Sequence, residues 1–322
     1  MSFFANIEKK LLSVPFVGKA VDWAKSLVLP GFKGLPIYDV LKFFLISARK
    51  VGFTERASAI SFNFVMTIPP ITLMLFALIP LLPISDQFIH EIFGLVRDVI
   101  PGEENNAGVI AFLNDILKNP RTRLLSTGFI LALFFSSNAV MGIMRSFDKN
   151  YIGFKKRTKL QQRWIALKLT FILFILFLLT ISTLIMQNKV LMWIGVDDPF
   201  WLRAISYARW IIIIALFLLS VSFIYRFAPA VHEKWAFFNT GALVCTMLMI
   251  VFALGFSYWV GNFSRYNELY GSISTILILF LLIFSNSLVL LIGFELNVSI
   301  SSLIHNQKNS LLMVNDDDDD ND

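Results

Sequence analysis

Six stretches of this chain run for about 20 residues or more with almost no charge: 58–83, 124–147, 166–188, 204–228, 236–261 and 272–296. A helix of ~20 apolar residues crosses the ~30 Å hydrocarbon layer of a bilayer. Lipid offers backbone groups no water to bond, so spans of this kind must be helical. Six of them leave little of a 322-residue chain for anything else. Composition agrees: 57% of residues are hydrophobic and only 16% are charged, against about 25% charged in a soluble domain. The expected fold class is all-α, a polytopic integral membrane protein with six transmembrane helices, interfacial helices at the N-terminus and a helical hairpin in the first outer loop. Three regions follow. Residues 1–56 form a cytoplasmic segment with an amphipathic helix, 57–300 the six-span domain with its hairpin at 84–123, and 301–322 a disordered acidic tail. The lone Cys245 lies in the fifth span and has no partner for an intrachain disulfide.

Basic residues set the orientation. Nine Lys or Arg precede the first span and eight lie in the stretch RSFDKNYIGFKKRTKLQQRWIALK between spans two and three. With Arg226, Lys234 and Lys308, one side of the membrane holds twenty and the other eight. Lys and Arg stay cytoplasmic, so both termini are expected inside, in the inner membrane of a bacterium. The net charge of +6 is then a product of topology and of anionic headgroups at the inner leaflet, and nucleic acid is not an expected partner. Glu8, Lys9 and Lys10 interrupt the first apolar stretch, so no signal peptide is expected there.

Two segments outside the spans have helical periodicity. In YDVLKFFLISARKVGF, Val40, Phe44 and Val51 stack while Lys42, Arg49 and Lys50 face water, the pattern of an interfacial helix. Outside, Phe88, Ile92, Leu95, Val96 and Val99, then Val109, Phe112, Leu113, Ile116 and Leu117, predict the hairpin. The closing VNDDDDDND run cannot bury apolar surface and predicts disorder.

Polar residues at membrane depth are the candidates for function. Pro69 and Pro70 sit mid-way along span one; together they remove two backbone donors and predict a kinked or unwound helix, the device by which transporters build binding sites. Ser61, Asn63 and Thr67 lie nearby. Ser137 and Asn138 in span two and Ser285 and Asn286 in span six fall at matching depth. They read either as interhelical hydrogen bonds or as a polar seam, formed by Asn63, Pro69, Pro70, Ser137, Asn138, Ser285 and Asn286. Asn286, Leu290, Gly293 and Asn297 share one helix face, along which Gly293 admits a close neighbour. Glu295 is out of phase with Asn286 and falls near the inner headgroups. It is expected to form an anchoring ion pair with Arg226, or with Arg145 or Arg49.

The stretch YGSISTILILFLLIFSNSLVLLIGFELN (270–297) resembles the closing signature of the YihY/BrkB membrane-protein family. Upstream, Pro229, Trp235, Gly241, Phe256 and Tyr266 fall where that pattern places them, as do Ala57, Ala59 and Pro69 in span one. The resemblance implies a six-span bacterial inner-membrane protein with cytoplasmic termini. Members have been called virulence factors and, in older descriptions, ribonuclease BN.

A ribonuclease needs a metal cluster or an acid–base pair. His90, His232 and His305 stand apart, with no HxxxH, no CxxC and no carboxylates at ligand spacing. No enzyme, metal or cofactor is expected. Two readings follow: transport or flipping of a small solute or lipid through a seam of spans one, two and six, or a non-transporting scaffold in envelope assembly. Ribonuclease is the third and weakest. Membrane lipids are the expected partners, with a small solute or lipid as cargo.

Overall fold

The computed structural model describes residues 15–28, 31–32, 34–50, 52–78, 122–148, 154–194, 199–231, 234–262 and 272–319, with a few isolated positions between 93 and 114. Among them run eight helices: α1 (Pro15–Ser26), α2 (Ile37–Lys50), α3 (Phe53–Leu78), α4 (Thr122–Phe147), α5 (Lys159–Ile194), α6 (Pro199–Phe227), α7 (Thr240–Asn262) and α8 (Ser272–Asp319). Five of these, α4 to α8, are long and apolar enough to cross a membrane within their described residues. The 26-residue α3 occupies the first expected span, and the all-helical membrane fold is as the sequence predicted.

Each of the six long helices packs on the one before it, and α8 returns to α3, closing a ring in chain order. The four-residue connection between α5 and α6 dictates one such contact, since a few residues can only turn the chain back beside itself. The start of α5 is fixed by a reciprocal cap. The Thr158 amide donates to Gln161 Oε1 (3.1 Å), and the Gln161 amide donates to Thr158 Oγ1 (3.3 Å). Between α2 and α3 the turn passes through Gly52 at φ +63°, a conformation that residues with a Cβ rarely adopt.

The core lies at one end of the ring, where α3 begins, α4 ends, α6 ends and α7 begins. Ala57, Phe147, Ala166, Tyr225, Ala242, Cys245, Leu291 and Phe294 are buried there together. Small residues let the helix backbones close up, because lipid supplies no hydrophobic push between spans. The expected basic segments gather at this same end, called the basic end below. There α2 lies against α8, with Val40 buried among Phe32, Leu35, Leu296 and Ile300. Leu41 and Leu45 remain exposed.

Three expectations need correction. First, α3 remains an α-helix across Pro69 and Pro70, so it does not unwind there. A proline pair orphans only the carbonyls one turn earlier, and unwinding the helix in lipid would orphan many more. Second, the chain beyond residue 300 is helical to Asp319, where disorder was expected. Extending an anchored helix avoids the nucleation cost that an isolated tail would meet. Third, Glu295 does not pair with Arg226, as described below. The hairpin expected over 84–123 falls almost wholly outside the described residues.

A candidate functional site at the basic end

The stretch Leu290 to Asn297 of α8 meets a different helix with nearly every residue. The Tyr225 hydroxyl of α6 donates to the Leu290 carbonyl (2.6 Å). Gly293 lies against α7, where an added Cβ would stand 2.6 Å from the Gly241 carbonyl oxygen and 2.8 Å from Cys245 Cβ. Phe294 stacks on Phe147 of α4, with centroids 3.9 Å apart and planes 4° from parallel, and Trp235 and Phe154 flank it. Asn297 reaches the start of α7: its amide donates to Asn239 Oδ1 (2.6 Å), and its Oδ1 accepts from the Gly241 N–H (2.9 Å). Asn239 Oδ1 also accepts from the Ala242 N–H, the bond expected of a helix N-cap. The shared face of Leu290, Gly293 and Asn297 is thus a contact face, and Gly293 admits a neighbour as its size predicted.

Glu295 is fully buried, and its Oε1 accepts from Arg56 Nη1 of α3 at 2.5 Å. Arg56 Nε donates to the Ser146 carbonyl of α4 (2.8 Å), and its guanidinium carbon lies 5.7 Å from the Phe294 centroid. One ion pair therefore ties together three helices. Arg226, the expected partner, instead donates to the Trp235 carbonyl (3.1 Å). The helix turn of Glu295 faces α3 rather than the end of α6, and span spacing alone could not tell these apart. Arg56 was counted only as a topological charge. The signal available was its place in the first turn of α3, level with the Glu295 end of an antiparallel α8.

Arg157 carries a similar lesson. It donates to the Ala228 carbonyl (2.8 Å) and the Pro229 carbonyl (2.7 Å), with longer bonds to Phe227. A guanidinium at the C-terminus of α6 satisfies orphan carbonyls and suits the helix dipole. The Lys155 N–H donates to Ala230 O (2.6 Å), and an antiparallel bridge joins Phe154 to Val231. The α4–α5 loop is pinned to the α6–α7 loop.

Beside Arg157, burial pushes the Asp148 carboxyl above its ordinary 3.8, and the Arg157 charge and the Gln162 amide (3.0 Å) oppose that rise only in part. A raised folded-state pKa means that the native protein holds the proton more tightly than the unfolded chain. Stability from this group is therefore complete below 3.8 and lost as pH rises through the folded value. Asp148→Asn is expected to raise the melting temperature at neutral pH, with the gap to wild type closing as pH falls toward 3.8. A lower melting temperature at neutral pH would contradict this.

The residues of the expected seam are spread around α3, α4 and α8. Asn63 is half-buried, donates to Ala59 O (2.7 Å) and accepts weakly from Arg145 Nη2 (3.4 Å). Asn138 accepts from Arg163 Nη1 of α5 (2.8 Å), whose guanidinium also bonds Phe134 O and lies 3.7 Å from the Phe134 centroid. Ser137 is buried and bonds its own helix at Phe134 O. Asn286 is half-buried and donates to Leu282 O of its own helix (2.8 Å). Ser285 is half-buried, Pro69 exposed and Pro70 half-buried. No hydrogen bond joins Asn138 to Asn286. Between α3 and α8, Ser61 Oγ donates to Ser287 Oγ (3.2 Å) at this depth. Among the described residues no three His, Cys, Asp or Glu side chains gather within reach of one metal ion.

The chain is similar to several known proteins. The chain is 24% identical over 258 residues to the "putative ribonuclease-like protein YfkH" of Bacillus subtilis strain 168, covering 79% of this chain and 90% of that one. Shorter matches relate it to UPF0761 membrane proteins. One from Alteromonas mediterranea is 31% identical over 93 residues, 28% of this chain and 31% of the relative. One from Xanthomonas campestris pv. campestris strain B100 is 34% identical over 79 residues, 24% and 19% of the two chains. No solved structure matches. Residues 47–315 match the family described as virulence factor BrkB, a span that includes both Arg56 and the whole Leu290–Asn297 clamp. This chain belongs to the virulence factor BrkB family of membrane proteins.

Proposed function

We propose that this membrane protein moves a small solute or lipid across the bacterial inner membrane, with the basic end cytoplasmic and acting as the closed gate. The reading rests on one stripe of α8. Ile276, Phe280, Ser287, Leu291 and Phe294 share a helix face, since steps of 4 and 7 residues return close to the same angle. Along that stripe exposure falls from 55% at Ile276 and 43% at Phe280 to 4% at Ser287 and 0% at Leu291 and Phe294. The face that looks into the packed core at the basic end is exposed toward the other end, among the described residues. A ring packed shut at one end fits the closed state of alternating access. The Ser61–Ser287 bond joins α3 to α8 at the level where this burial begins, with Ser285 and Asn286 beside it. Arg145 and Arg163, which no carboxylate among the described residues pairs, favour a cargo with negative charge.

Cysteine accessibility tests the proposal on a Cys245→Ala background. Ile276→Cys and Phe280→Cys are expected to react with a membrane-impermeant thiol reagent. Ile278→Cys, half a turn away, and Leu291→Cys, in the packed core, are expected not to. The dense packing of Gly241 on Gly293 supports the second reading, a scaffold without a path. Absence of reaction at Ile276 and Phe280 in folded protein would favour that reading over transport.

A further inference from the structure

The first turns of α5 carry a feature that neither the ring interior nor the ion-paired clamp uses. Arg157, Thr158, Leu160, Gln161, Trp164 and Ile165 line an open pocket of roughly 540 Å³. Its polar floor is at the basic end, and its rim is apolar, with Leu160 and Trp164 exposed. The floor is held in place before any ligand arrives. Arg157 is clamped to the end of α6, Lys155 is bonded to Ala230, and Thr158 and Gln161 cap one another.

Lys168 follows Gln161 by seven residues and Trp164 by four, which places it on the pocket's face of the helix. It lies inside the apolar stretch Lys159–Thr183 and is exposed. Helix side chains lean toward the N-terminus, which here is the pocket and the nearest water, the direction in which a lysine in an apolar stretch snorkels. Among the described residues no carboxylate pairs with Lys168. From residue 155 to 168 the chain holds six Lys or Arg and no Asp or Glu. The described acid nearest this stretch, Asp148, faces Arg157 and Gln162. Among the described residues nothing supplies a negative charge here, at headgroup depth, on a surface that also offers an indole and a leucine to acyl chains.

We propose that this flank of α5 is a binding site for an anionic phospholipid of the leaflet bordering the basic end. The phosphate sits between Lys168 and the polar floor, and the chains lie along Leu160, Trp164 and Ile165. Basic pockets beside membrane helices take such headgroups, and an indole suits the interface where headgroup meets chain. The inference stands independently of the transport reading, since the site is on the outer flank and needs no path through the ring.

The full chain would be reconstituted in phosphatidylcholine vesicles holding a minor fraction of phosphatidylglycerol. It would then be extracted in mild detergent, and the lipids retained per chain counted by native mass spectrometry. Wild type is expected to retain phosphatidylglycerol in preference to phosphatidylcholine. Lys168→Gln should retain roughly fivefold less, and Lys168→Arg should keep it, because the charge is what matters. Trp164→Ala should weaken retention without abolishing the preference for negative charge. Equal retention by Lys168→Gln and wild type, or no preference in wild type, would overturn the site. Displacement of the lipid by millimolar inorganic phosphate would also overturn it, by showing that the site takes an ion and not a lipid.

Discussion

Glu295→Leu is expected to leave little folded protein, and Arg56→Leu to be the milder of the two changes. Both break the same buried ion pair, and losing one partner of such a pair costs about 3–5 kcal/mol. That is a large share of the roughly 5–15 kcal/mol that holds a folded protein together. The two losses differ in what they leave behind. Removing Glu295 leaves a buried guanidinium without its carboxylate, with five N–H donors among Phe294, Ser146 and the buried ends of α3 and α4. Removing Arg56 leaves a carboxylate, a smaller group with only two oxygens to satisfy. The double variant Arg56→Leu/Glu295→Leu strands neither and should recover much of the stability, as apolar replacements of buried pairs often do. Melting curves of the three variants in one detergent would check this ranking. A double variant no better than Glu295→Leu would show that the pair is not the unit that matters.

Gly241→Ala is the second large effect, and Gly255→Ala on the same helix is its control. A Cβ on Gly241 would run into the Gly293 carbonyl oxygen and come within 2.5 Å of Asn297 Nδ2. Neither can give way cheaply. One is backbone of α8, and the other is held by Asn239. Forcing an extra carbon into a packed site costs about 1–3 kcal/mol, and here α7 must leave α8, so a value at the upper end or beyond is expected. At Gly255 an added Cβ meets nothing within 4 Å. There the better helix propensity of Ala should add stability of about 1 kcal/mol or less. Opposite signs at two glycines of one helix would separate close approach from propensity, and equal signs would refute the packing argument.

The fold was legible in the sequence because lipid makes it so. Span length is fixed by bilayer thickness and backbone hydrogen bonding, both readable from runs of apolar residues, and the positions of the six long helices follow. Gly293 was legible too: a glycine on a regular helix face beside Asn297 signals a close neighbour, and α7 is there. Where helices stop was less legible. The tail past residue 300 is helical to Asp319 because α8 was already nucleated, a property of the preceding segment that the tail's own composition does not contain.

Which polar residue meets which was decided by the tertiary structure alone. Glu295 could have reached Arg226, Arg145 or Arg49 on spacing grounds. It meets Arg56 because the ring sets α8 beside α3, and helix order around a ring is not written in any one span. Arg157 was one of a run of like charges, yet it alone turns inward to hold the end of α6. Asn138 and Asn286 matched in depth but not in direction, and each found a different partner. Hydropathy along a chain fixes how deep a residue lies in the bilayer. Direction around the helix axis depends on neighbours brought together from far along the chain, and that is why the sequence by itself determined the helices and their depth while the packing decided the clamp.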